Sequence, residues 1–156
     1  MSRKLPKSGF TDRGAKAPRS ELSPADDVRK PRSVPSNPGA RTPLWAFRIV
    51  DLNGPWSWGA MQGATLREVL QRLGSYETMT WREIDGPSGS HAVDVASLSK
   101  AARDRLVAIE QDDVHECFSL RINGPARVWG IRDEHVLRVL WWDPRHEVCP
   151  SKKKHT

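Results

Sequence analysis

The chain has 156 residues, with 25 Lys and Arg against 19 Asp and Glu, and 37% of its residues are apolar. That length suits one domain with a modest core, and no apolar run approaches the ~20 residues that a membrane-spanning helix needs. The basic N-terminus leads into no apolar segment, and two cysteines, Cys117 and Cys149, are too few for a disulfide scaffold, so the expectation is a cytoplasmic protein with no secretory signal.

The charge is unevenly placed. Residues 1–43 hold ten Lys and Arg, four Asp and Glu, and seven of the twelve prolines, which accounts for the entire net charge of +6. Residues 44–150 read as a single folded domain. A basic segment rich in Pro and Ser buries too little apolar surface to offset its ordering entropy, so residues 1–43 are expected to be a disordered tail. Such a tail adds a weak, salt-sensitive attraction to polyanions. Residues 151–156 (SKKKHT) read as a second, short basic tail.

Leu44–Val50 opens the domain as a strand with Trp45, Phe47 and Ile49 on one face. Asp51-Leu52-Asn53-Gly54-Pro55 is turn chemistry. A helix then runs to about Leu73, with Met61, Leu66, Val69, Leu70 and Leu73 as its apolar stripe and Gly74 as its stop. Glu77–Ile84 is a second short apolar stretch, Asp85–Ser90 a loop, and Val93 with Val95 a short strand. A clearer helix spans about Ser97–Gln111, with Ser97 as N-cap and Leu98, Ala102, Leu106 and Ile109 turned inward. Cys117–Ile122, Arg127–Ile131 and Val136–Trp142 then read as three consecutive strands, joined by turns at Asn123-Gly124-Pro125 and Asp133-Glu134-His135. This order predicts an α+β fold, an antiparallel sheet with helices packed on one face.

Three features of the strands carry chemistry. Arg121, Arg127 and Arg138 share a face if the hairpin registers align, while Arg127 and Arg132, five apart, face opposite sides. Trp141 and Trp142 are adjacent in a strand and point to opposite faces. One enters the core; the other, taken as Trp142, either stacks on bases beside the arginines or is covered by Trp56, Trp58 or the C-terminal segment. His146, with Glu147 beside it, is a candidate general acid or base. His146, Cys149 and His155 have no recognised metal-ligand spacing, so no metal is expected. There is no Gly-rich phosphate loop, nucleophile elbow or HExxH, and no cofactor is expected.

The run Ser97–Leu140 resembles the RelE/ParE superfamily of bacterial toxins. The resemblance rests on an Ala/Arg/Leu helix (AARDRLVAI), a strand SLRI, a Gly turn, a strand carrying an arginine (ARVWGIR) and an apolar strand (VLRVLWW) leading to a histidine. It implies a RelE-like fold, an antitoxin partner, and metal-free cleavage of ribosome-bound mRNA. The ribose 2′-OH would attack the adjacent phosphate. Arg127 and Arg132 would stabilise the charge that develops, and His146, oriented by Glu147, would move the proton. On this reading Arg121, Arg138 and Trp142 would hold the RNA. The ending LWWDPRHEVCPSKKKHT also resembles the terminal block of a set of proteins to which no activity attaches. Two alternatives to the toxin remain open: a non-catalytic module on the same fold that binds protein or nucleic acid, and a protein whose tail alone touches nucleic acid.

Overall fold

The computed structural model describes residues 37–151. Of the expected tails at 1–43 and 151–156, residues 1–36 and 152–156 lie outside the described residues, as does His155. Residues 37–43 do not stand apart from the domain, because the Trp81 amide donates to the Arg41 carbonyl at 3.0 Å.

The order along the chain is β1 (Leu44–Ala46), α1 (Gly63–Tyr76), α2 (Trp81–Ile84), β2 (His91–Asp94), α3 (Lys100–Ala108), β3 (Glu116–Asn123), β4 (Ala126–Asp133) and β5 (Val136–Asp143). The five strands form one sheet in the order β1-β5-β4-β3-β2. The α+β class therefore holds, with two corrections. The sheet is mixed: β2 to β5 form an antiparallel meander, but β1 runs parallel to β5, with Ala46 beside Arg138. And the helices cover both faces, not one.

The strand sequences explain the second point. In β3, Cys117 packs on one side of the sheet, and Phe118, Leu120 and Ile122 on the other. In β4, Val128 and Trp129 divide in the same way. A strand with large apolar groups at both parities must be covered twice. Val69, Leu73 and Tyr76 of α1, with Trp81 and Ile84 of α2, cover the first face; Leu98, Ala102 and Leu106 cover the second.

The α1 stripe is narrower than the sequence suggests, since Leu66 and Leu70 point to solvent. The helix also passes through Gly74 to end at Tyr76, whose hydroxyl donates to the Arg121 carbonyl at 2.5 Å. The α3 N-cap is Ser99, not Ser97: its Oγ accepts from the Ala102 amide. Thr80 and Glu83 form a capping box that starts α2.

β1 is short because the chain turns at Phe47–Val50, where the Val50 amide bonds the Phe47 carbonyl. The loop that follows completes the open edge of β5. The Asp51 amide donates to the Leu140 carbonyl at 2.9 Å, and the Trp142 amide to the Trp56 carbonyl at 3.0 Å. A shift in the β4–β5 register leaves Leu140 without a partner, because Trp129 faces Trp141 and Gly130 faces Val139. This bulge puts Leu140 and Trp141 together on the α3 side.

Gly130 makes that packing possible. A Cβ there would lie 2.6 Å from the Arg138 carbonyl oxygen and 2.9 Å from Leu137 Cγ. Gly130→Ala is therefore expected to destabilise the fold by about 1–3 kcal/mol. Urea unfolding checks this, and an unchanged midpoint would show that β4 and β5 are not held this close.

Candidate anion-binding face

Cross-strand pairing decides which arginines meet. Arg121 stands directly opposite Arg127, and Arg127 opposite Asp143. Arg138 pairs with Ile131, which packs on the α3 side. Arg121, Arg127 and Arg138 thus share the α3 face, as the alternation allows. They do not form one cluster. Arg121 and Arg127 lie beside the β3–β4 turn, and Arg138 sits at the other end of β5. Four residues of strand, about 13 Å, separate the Arg127 row from the Arg138 row.

Arg132 is on the opposite face, paired with Leu137 of the α1-side core. Its guanidinium lies 4.3 Å from the centroid of the Trp81 ring and 5.7 Å from that of Phe118. Its Nε donates to the Glu134 carbonyl at 2.9 Å, and Nη1 lies 3.4 Å from Asp85. Burial lowers its pKa, but no guanidinium becomes neutral at ordinary pH. Arg132 braces α2 against the sheet. Because the sheet separates it from Arg127, the two cations expected to stabilise one phosphorane do not meet.

Arg127 donates through Nη1 to the carbonyls of Gly124 and Ala126, at 2.7 and 3.0 Å. Burial, followed by the charge of Arg121, lowers its pKa. His146 and Glu147 belong to a loop tied down by Asp143. That buried carboxylate accepts from the Glu147 and Val148 amides, both at 2.9 Å, and from Trp129 Nε1 at 3.2 Å. The loop carrying His146 therefore starts beside Arg127. His146 has a left-handed backbone, φ 60°. The Glu147 carboxylate lies 3.9 Å from Arg145, in an exposed pair worth little.

Trp142 is only 9% exposed and packs in the α1-side core, so it offers no open face for base stacking. Trp141 is fully buried on the other side, against Trp56 with ring centroids 5.4 Å apart. Both tryptophans are covered by the protein itself: Trp56 lies against Trp141 rather than Trp142, and Trp142, expected to stack on bases, is a core residue.

Two functional-looking carboxylates escaped the sequence reading, and both proved to be structural. Asp143 is the hook just described; the Asp-Pro step after a strand was its only signal. Asp51 accepts from the Asn53 and Gly54 amides, from Arg105 Nε and Nη2 at 2.7 Å each, and from Trp141 Nε1 at 3.2 Å. The Arg105 hydrogen bonds lower its pKa to about 2 against the cost of burial. The D-x-N-G sequence is a turn signal of this kind. Gly54 is required there, since a Cβ would come within 2.4 Å of both Arg105 Nε and Asp51 Oδ2.

Among the described residues, ion pairs link Lys100 to Asp104, Arg105 to Asp51, Arg132 to Asp85 and Arg145 to Glu147. Arg48, Arg121, Arg127 and Arg138 therefore have no described carboxylate within 4.0 Å. Arg48 and Arg138, with Ala46 and Ile49, line one recess of about 430 Å³. The Nε atoms of Arg127 and Arg138 are dry and without a hydrogen-bond partner.

No group of three or more metal-ligating side chains gathers among the described residues. No described helix is long and apolar enough to cross a membrane. The chain matches no family model, and no curated protein or solved structure shows significant similarity to it.

Proposed function

We propose that the chain is a non-catalytic module that binds nucleic acid through the α3 face of its sheet. One observation carries this reading. Arg121 and Arg127 are directly opposite one another, and Arg138 lies on the same face, none with a described carboxylate partner. Like charges placed opposite on a sheet cost stability. Asp143, opposite Arg127, offsets part of that cost, and a polyanion would supply the rest of the counter-charge. The RelE-like reading, an mRNA-cleaving toxin with an antitoxin, finds less support. It needs Arg127, Arg132 and His146 at one phosphate, and Arg132 is on the far side of the sheet, held under Trp81.

Fluorescence anisotropy with a labelled single-stranded RNA tests the proposal. Arg121→Gln with Arg127→Gln is expected to weaken binding about 10-fold and to make the dependence on salt shallower. Expression in a bacterial host is expected to leave growth and total RNA unchanged. Growth arrest with cleaved mRNA, lost in Arg127→Ala/His146→Ala, would instead establish the nuclease. Full binding by the double glutamine variant would overturn the proposed face.

A further inference from the structure

We infer that the recess between Arg48 and Arg138 is a phosphomonoester site that receives the 5′-phosphate at the end of a nucleic-acid strand. The inference rests on the nucleic-acid reading above and names the group that this corner of the face would take.

The local backbone builds the recess. β1 ends at Ala46, beside Arg138 on β5. The chain then turns at Phe47–Val50, which places Arg48 and Ile49 at the centre of the turn, and the Asp51 amide returns it to Leu140. The turn thus folds over the α3 face of β5, where Ile49 packs against the core. The result is a cavity of about 430 Å³ lined by Arg48 and Arg138, with Ala46 and Ile49 as its apolar walls.

The chemistry selects the ligand. Two arginines from separate elements line one cavity, and no described carboxylate lies within 4.0 Å of either. Arg138 Nε is buried without a hydrogen-bond partner. Arg138 is half-buried and Arg48 exposed, so the recess opens to solvent, and an anion entering it supplies the acceptor that the two cations lack. Two planar forks from two directions suit a tetrahedral oxyanion, which offers oxygens on several sides. A phosphomonoester carries about −1.5 to −2 charges at neutral pH, enough for both cations. A mid-strand phosphodiester carries one charge and two chain substituents. The strand would have to enter and leave the recess, whereas a terminal phosphate enters alone. Ala46 and Ile49 give the attached sugar an apolar contact.

The test compares a short RNA bearing a 5′-phosphate with the same sequence bearing a 5′-hydroxyl. NMR of the arginine side chains follows the site directly, because a buried Nε–H gives a resolvable signal. The 5′-phosphorylated form is expected to bind at least tenfold more tightly and to shift the Arg138 Nε–H signal. Arg48→Gln, checked for an unchanged amide spectrum, is expected to erase that preference while sparing the 5′-hydroxyl form, whereas Arg138→Gln, on the binding face itself, is expected to erase the preference and to weaken both forms. Equal binding of the two RNAs would overturn the recess as a terminal-phosphate site and leave the nucleic-acid reading standing. Acetate shifting Arg138 as strongly as inorganic phosphate would overturn the ligand class. If inorganic phosphate shifts Arg138 but neither RNA binds, the phosphate site stands and the nucleic-acid reading falls.

Discussion

Replacing Arg105 with alanine is expected to lower the unfolding free energy by about 3 kcal/mol, the lower end of the usual cost of stranding a buried charge. Asp51 is 5% exposed, and Arg105 supplies two of its five donors. The pair joins the loop that closes the β5 edge to α3, which covers the sheet. Without Arg105, the Asn53 and Gly54 amides and the Trp141 indole remain, and this holds the cost to the lower end. In a domain of this size the loss corresponds to a fall in Tm of about 10 °C or more. The pH dependence gives a second readout. The Asp51 carboxyl goes from an ordinary 3.8 in the unfolded chain to about 2 in the fold. A depressed carboxyl stabilises the protein fully above the unfolded value, and its contribution disappears as pH falls through the folded one. Asp51 thus contributes about 2 kcal/mol at pH 5 and above, lost between about pH 4 and pH 2. In Arg105→Ala, burial still raises the carboxyl pKa while its main counterweight is gone, so acid unfolding should begin at higher pH. Thermal unfolding at pH 7 and pH 3 checks both points. A loss under about 1 kcal/mol at pH 7 would show that the pair is solvated and that another contact holds the loop.

Trp81→Ala is expected to cost about 3–5 kcal/mol, the range for removing a fully buried large aromatic. Trp81 is 0% exposed and stands where four elements meet. Its ring meets Phe118 of β3 edge-on at 5.2 Å and Trp45 of β1 at 6.2 Å. Its Nε1 donates to the His135 carbonyl in the β4–β5 turn at 2.8 Å, and its amide to Arg41. Arg132 lies over its face. Trp81→Phe keeps most of the apolar area and loses the indole donor, while the His135 carbonyl keeps its bond from the Leu44 amide at 3.0 Å, so its expected cost is nearer to about 1 kcal/mol. Urea unfolding of the two variants separates packing from hydrogen bonding. Equal losses would mean that the indole N–H, not the ring, is what matters.

Much of the fold was readable because it depends on short-range pattern. Cys117–Ile122, Arg127–Ile131 and Val136–Trp142 all lie inside observed strands, and the turns between them are where Asn-Gly and Asp-Glu place them. The parallel pairing of β1 was not readable. It depends on where a three-residue strand lands after the whole meander has formed, and nothing within Leu44–Ala46 encodes that. The alternation of β3 and β4, taken as apolar inside and polar outside, predicts helices on one face. The intervening positions in fact carry Cys117, Trp129 and Ile131, which are apolar and must also be covered.

The candidate site divides in the same way. Sequence by itself determined that Arg127 and Arg132 face opposite sides, that Trp141 and Trp142 do too, and that arginines crowd the last three strands, because side-chain alternation follows from the strand backbone alone. Only the tertiary structure decided that Trp142 is covered, that Arg132 is held beneath aromatic rings, and that Arg48 meets Arg138 across a recess. These depend on register, on a bulge at Leu140 and on a turn at Phe47–Val50. Such contacts join residues as many as 90 positions apart, and their free energy comes from packing and desolvation that no local window of sequence contains.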